Sequence, residues 1–220
     1  MKNKLLLSGL IISAILQSAC TSDNKVLLFN GEDLSNWEKV VFEAADADEV
    51  FRVEGGIIKV SGVPNGYILT KDSYSDYKLH VEWRWAAEPS NSGVLTHVQE
   101  MNLEEWPFCI EAQLMHPNAG DIVLIGHGAG VTVGDSTYFI NPDERRYEVV
   151  KKFEESSEKP AGEWNTYDIT CHGNNIELKV NGVLQNQATG STLGSGPIAL
   201  QSEGSPIEFR NVYLIPLEKE

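Results

Sequence analysis

Two segments of this chain place acids, a base and cations at every second position. In Tyr77 to Trp85, His80, Glu82 and Arg84 alternate with Leu79, Val81, Trp83 and Trp85. In Phe108 to His116, Cys109, Glu111, Gln113 and Met115 alternate with Ile110, Ala112 and Leu114. A period of two puts each set on its own face of a β-strand. On the first strand alone, a solvated outer face with cross-strand ion pairs accounts for the charges as well as a site does. If the two strands are neighbours, however, Glu82, Arg84, Glu111 and Gln113 make one polar patch, the composition expected of a surface that grips a polyhydroxyl ligand, a carbohydrate. Trp106, just outside the second strand, offers a sugar ring an apolar platform or packs on its own loop. His127 lies in the glycine-rich stretch from Pro117 to Arg146, the irregular segment best placed to overhang a site.

The elements that must position these residues read as antiparallel strands. Val50 to Val53 and Ile57 to Val60 flank Glu54-Gly55-Gly56, a hairpin in which glycine supplies positive φ. Gly66 to Lys71, Gly93 to Gln99, Tyr147 to Phe153, Asn165 to Cys171, Ile176 to Val180, Pro197 to Gln201 and Ile207 to Leu217 continue the pattern, with a turn at Asn181-Gly182. No sustained helical period occurs after the N-terminal run. A dozen or so strands without an internal repeat predict an all-β sandwich of two antiparallel sheets. Asp46-Ala47-Asp48-Glu49 lacks the glycine and the spacing of a calcium loop and is expected to be a solvated acidic loop.

The N-terminus predicts export. Lys2 and Lys4 precede an apolar run from Leu5 to Leu16 that is short for a membrane span, and Gln17-Ser18-Ala19-Cys20 resembles a bacterial lipobox. The expected organisation is a signal peptide over residues 1–19, a lipidated Cys20 with a tether over 20–25, and one sandwich domain over 26–220. Such a protein is anchored to the outer membrane by lipid only, on its periplasmic face or at the cell surface. The formal net charge of −15 becomes more negative once Lys2 and Lys4 are removed. That field excludes nucleic acid as a partner and disfavours phosphorylated or sulfated ligands. Cys109 is in phase with Glu111 and Cys171 with Tyr167 and Ile169, so the two thiols are expected on opposite faces, buried and unpaired. No zinc-ligand spacing is present. Nothing in the sequence specifies an oligomeric state.

Several motifs, in order along the chain, carry a resemblance. Leu28-Phe29-Asn30-Gly31-Glu32-Asp33-Leu34-Ser35-Asn36-Trp37, the charged strand Tyr77 to Trp85, Asn91-Ser92-Gly93-Val94, Ile110-Glu111-Ala112-Gln113-Leu114 and Lys159 to Asn165 lead the series. Val180-Asn181-Gly182, Gly196-Pro197-Ile198-Ala199-Leu200-Gln201 and Phe209-Arg210-Asn211-Val212 complete it. Together they resemble the 3-keto-disaccharide hydrolase family, a concanavalin A-like jelly roll of Bacteroides-type bacteria. The chain departs from that pattern twice. The family often has a histidine two residues after the glutamine of its Gly-Pro-Ile strand, where this chain has Gln201 followed by Ser202 and Glu203, and often an arginine where His97 stands.

The resemblance implies cleavage of glycosides already oxidised at C3. The ketone acidifies the C2 proton, so a base can remove it and expel the C1 substituent, after which water adds to the enone. Such a route needs a base near C2, an electrophile at the C3 oxygen and an acid at the leaving group. Glu111 or Glu82 is the expected base, and Arg84 and Gln113 the expected enolate or sugar-positioning groups. His97, His116 or His127 is the expected acid, and Asn91, Trp106, Gln201 and Glu203 complete the substrate-binding set. The resemblance fixes no cofactor; a divalent cation could replace the side-chain electrophile, with a Glu and two of the histidines as adequate ligands. Two other readings compete: a non-catalytic lectin-like surface module, and conventional hydrolysis by a carboxylate pair such as Glu82 with Glu111.

Overall fold

The computed structural model describes residues 24–126, 128–144 and 146–218. Its strands, in chain order, are β1 (Val26–Leu27), β2 (Trp37–Val41), β3 (Phe51–Glu54), β4 (Ile57–Val60), β5 (Gly66–Thr70) and β6 (Tyr77–Trp85). Then come β7 (Gly93–Thr96), β8 (Cys109–Gln113), β9 (Ile122–Ile125), β10 (Gly130–Val133), β11 (Ser136–Phe139) and β12 (Tyr147–Val150). The last five are β13 (Asn165–His172), β14 (Asn175–Val180), β15 (Val183–Ala188), β16 (Ala199–Ser202) and β17 (Ile207–Pro216). One sheet runs β15-β14-β13-β6-β17-β4-β3 with β1 also on β17, and a second runs β12-β9-β8-β7-β16-β5-β2. The strands pair antiparallel throughout, and the two sheets stack as the jelly-roll sandwich that the strand pattern predicts.

The core between the sheets is built by alternation. From β6 it takes Leu79, Val81, Trp83 and Trp85, all at or below 1% exposure, and from the facing sheet Ile68, Val94, Ile110, Ala112 and Leu200. Burial of this apolar surface is the main stabilising term. The β3–β4 hairpin closes through Gly55 (φ 60°) and Gly56 (φ 76°), two successive left-handed residues of the kind a two-residue turn demands.

Two sequence expectations fail here. The stretch from 117 to 146 is not one long loop: β9, β10 and β11 lie within it, because Ile122-Val123-Leu124-Ile125 pairs with both β8 and β12. The acidic segment at 46–49 is not a simple loop either, since Ala47–Val50 forms one helical turn with the Asp46 side chain accepting the Asp48 N–H as its N-cap. Cys109 and Cys171 are buried, free thiols as expected.

Candidate active site

β6 and β8 follow one another closely in sequence but belong to different sheets. β6 pairs with β13 and β17, whereas β8 pairs with β7 and β9. Sheets stack about 10 Å apart, and the polar rows of these strands point away from each other on the two outer surfaces. Glu82 and Arg84 therefore do not share a surface with Glu111 and Gln113, and Glu82 with Glu111 is not a catalytic pair. On its own sheet Glu82 accepts hydrogen bonds from Arg210 Nε (2.6 Å) and Asn211 Nδ2 (2.7 Å), and Arg84 Nε donates to Glu208 (2.6 Å). The Arg84 and Arg210 guanidinium groups lie 4.6 and 4.0 Å from the centre of the Trp164 ring. This is a ladder of cross-strand ion pairs with a cation–π contact at its middle.

The outer face of the other sheet holds a cavity of about 550 Å³, within the range that suits a small ligand. Its lining includes Asn91, Trp106, Glu111, Gln113, Gln201 and Glu203, six of the residues singled out from sequence. Glu111 sits mid-sheet opposite Leu95 and is 3% exposed. Its carboxylate lies across the backbone of Gly93 on β7: a Cβ at residue 93 would fall 2.0 Å from Oε1 and 2.7 Å from Cδ. Oε1 of Glu111 is buried with no hydrogen-bond partner. Burial, and secondarily the charge of Glu203, push its pKa up to about 8.

Polar groups gather toward one end of the cavity. Gln113 Oε1 accepts the N–H groups of Leu114 (2.9 Å) and Met115 (2.7 Å), which leaves the two donors of its amide nitrogen uncommitted. Glu203 pairs across a β-bridge with Asn91 and accepts a 2.8 Å hydrogen bond from Asn91 Nδ2. Burial raises the pKa of Glu203, and this hydrogen bond partly offsets the rise. Asn91 Oδ1 and Gln201 Oε1 are buried without partners. Buried, unsatisfied polar atoms are costly, and a cluster of them around a cavity marks a place where a ligand can supply the missing bonds.

One side of the same sheet face is closed by the chain between β7 and β8. Tyr67, Leu69, Leu95 and Ala199 point outward from the sandwich yet are at most 6% exposed, because this segment lies over them. The Tyr67 hydroxyl donates to Asn102 O (2.6 Å) and accepts from Asn102 N–H (2.9 Å). Trp106 packs edge-on against Phe42, ring centres 4.8 Å apart, while also lining the cavity. It is thus both a loop anchor and a cavity wall.

The histidines expected as acids are elsewhere. His97 ends β7 at φ 51°, which takes it out of the strand alternation; it is 1% exposed, with Nδ1 2.8 Å from Leu193 O and its ring edge-on to core Tyr77. Burial lowers its pKa, so it stays neutral and structural. His116 pairs through Nδ1 with Glu158 (2.9 Å) and does not line the cavity. His127 and Cys20 lie outside the described residues. Among the described residues no three His, Cys, Asp or Glu side chains are grouped to hold a metal ion. Sequence reasoning missed Phe108, Ile125, Arg146, Tyr147 and Val149, which also line the cavity. The alternation of Tyr147 and Val149 carried a signal, but only the pairing of β12 with β9 turns it toward the site.

The sandwich is similar to several solved structures. A candidate glycosyl hydrolase from Parabacteroides distasonis is 24% identical, with a TM-score of 0.62 over 88% of this chain and 94% of that one. A β-glucanase from Bacillus licheniformis is 13% identical, with a TM-score of 0.57 over 87% and 97%. A carbohydrate binding module from Bacillus subtilis is 12% identical, with a TM-score of 0.52 over 80% and 93%. At these identities the likeness is one of fold. No curated protein sequence matches the chain. The assignment comes instead from a family model that matches residues 24–215, nearly the whole of the described chain, and by it the protein belongs to the 3-keto-alpha-glucoside-1,2-lyase-like domain family.

Proposed function

We propose that this protein cleaves glycosides oxidised at C3, by C2 deprotonation, elimination of the C1 substituent and hydration of the resulting enone. The observation that carries this reading is the carboxyl pair in one cavity. Glu111, buried and held to about 8, keeps its proton at neutral pH; Glu203, whose charged form accepts the Asn91 hydrogen bond that Glu111 lacks, is the one suited to act as base. Two carboxyl groups driven apart in this way supply an acid and a base at the same pH.

In this mechanism Glu203 takes the C2 proton and the electron pair moves into the C2–C3 bond, placing negative charge on the C3 oxygen. The free amide donors of Gln113 stabilise that oxygen. The enolate then collapses, C3 regains its carbonyl, the C1–O bond breaks, and Glu111 gives its proton to the departing oxygen. Water adds at C1 of the enone, Glu111 recovers a proton from it, and Glu203, partly exposed and exchanging its proton with solvent, protonates C2. Both carboxyl groups end as they began. Glu203 thus takes the base role expected of Glu111, and Glu111 the acid role expected of a histidine.

The pair also admits direct hydrolysis, with Glu111 as acid and Glu203 assisting water. The deciding experiment incubates residues 21–220 with a 3-keto-glucoside and with its unoxidised parent in deuterated water. Elimination and hydration predict turnover of the keto compound alone, with deuterium at C2 of the product beyond that of an enzyme-free control. Turnover of the parent, or a product without C2 deuterium, overturns the reading in favour of direct hydrolysis; binding of the parent without any turnover overturns it in favour of a lectin. Export and lipid anchoring at Cys20 belong to the same proposal and rest on the lipobox resemblance alone. They predict incorporation of labelled fatty acid into the full chain that is abolished by Cys20→Ala.

A further inference from the structure

The chain enters the fold on the sheet that does not carry the cavity. β1 pairs with β17, and Leu27, Tyr213 and His80 stand in one row across β1, β17 and β6, which Asp168 and Lys179 extend onto β13 and β14. His80 belongs to the outward set of β6, so the whole row lies on the outer surface. At its β1 end the row is apolar and cationic: Leu27 is 56% exposed, and the Lys25 ammonium sits 4.0 Å from the centre of the Tyr213 ring. An exposed leucine and a tyrosine beside a lysine suit the boundary between lipid headgroups and water.

Charge is spread unevenly over the molecule. The strands of this outer face carry Arg52, Lys59, Lys78, Arg84, Lys179 and Arg210. Against them stand Glu54, Glu82, Asp168, Glu177 and Glu208. Over the rest of the sequence, acids outnumber lysine and arginine by more than two to one. The sheets stack about 10 Å apart and screening at physiological ionic strength sets in over about 8 Å, so a surface facing this sheet is largely shielded from the acids on the other side. The net repulsion that the whole chain exerts on anions is therefore weakest here. The expected lipid is also close: Cys20 precedes Val26 by six residues of chain, a reach of at most about 20 Å.

We propose that the outer face of the β6–β17 sheet docks on an anionic phospholipid surface, so that the cavity on the opposite sheet opens away from the membrane and takes its substrate from the aqueous side. This rests on the lipid anchor at Cys20.

Cys109 and Cys171 are buried, so a maleimide lipid can be coupled selectively to Cys20 of residues 20–220, on vesicles of phosphatidylethanolamine with or without phosphatidylglycerol. Initial acetylation rates of individual lysines are then read by mass spectrometry. On vesicles containing phosphatidylglycerol, Lys25, Lys78 and Lys179 should react about fivefold or more slowly than after release into detergent. Lys71 and Lys151, exposed just after β5 and β12 of the other sheet, should keep their rates. Arg52 and Lys78 are both exposed, and the double variant Arg52→Glu, Lys78→Glu should lose the protection at Lys25 and Lys179. Protection of Lys71 and Lys151 instead, protection of no lysine, protection as strong without phosphatidylglycerol, or protection unmoved in the variant overturns the proposal. Because the lipid is attached chemically, such a result counts against the docked face alone; whether cells lipidate Cys20 is read separately by the fatty-acid labelling above.

Discussion

The Glu111 carboxylate rests on the backbone of Gly93, one strand away, in space that only a residue without a side chain leaves open. The contact holds the acid in the cavity and shields it from water, and that shielding is the main reason its pKa rises. Replacing Gly93 therefore acts on chemistry before it acts on folding. In Gly93→Ala the new methyl meets the far end of the Glu111 side chain, which can swing away. The expected outcome is a fall in kcat of about 10²-fold, the order that a displacement of about an ångström costs, with a melting temperature close to that of the native protein.

Glu111 also links stability to pH. Its folded pKa of about 8 lies above the ordinary value of 4.5. Between those limits the folded state keeps a proton that the unfolded state has lost, so stability declines as pH rises through the window and levels off above about 8. Glu111→Gln keeps the shape and removes the ionisation. Thermal melts should place the variant above the native protein at about pH 8 to 9, by on the order of a few kcal/mol, and show the two converging near about pH 4. A constant offset at every pH would refute the linkage.

Activity should follow a bell. The rising limb reports loss of the proton from Glu203, above the usual carboxylate range, and the falling limb, near 8, reports loss of the proton from Glu111. Glu203→Gln should lower kcat about 10²- to 10⁴-fold and remove the rising limb from what activity remains. Survival of that limb in the variant would assign it to another group.

The ladder on the opposite sheet should be silent in catalysis. Glu82→Gln and Arg84→Met each break pairs with Arg210 or Glu208 on β17. Each is expected to cost about 0.2–1 kcal/mol per pair, read in denaturant unfolding, with kcat/KM on a 3-keto-glucoside within about twofold of native. A large loss of activity at either position would reopen the role first considered for that strand.

The periodicity of the chain was sufficient to determine the all-β class, the core face of β6 and β8, the separation of Cys109 from Cys171, and the polar character of Glu111 and Gln113. Alternation is a local property: two successive Cβ atoms point to opposite faces whatever surrounds the strand. Which strands become neighbours is not local. The chain between Trp85 and Gly93 passes from one sheet to the other, so two polar rows that look equivalent in sequence finish on opposite surfaces of the sandwich. Only that crossing turned Glu82 into a rung of an ion-pair ladder and left Glu111 facing Glu203, and only the left-handed backbone of His97 drew its ring into the core. Burial, which sets the protonation state of Glu111, depends on Gly93 and on the segment carrying Trp106. Those neighbours are brought to it by the fold, not by their distance along the chain.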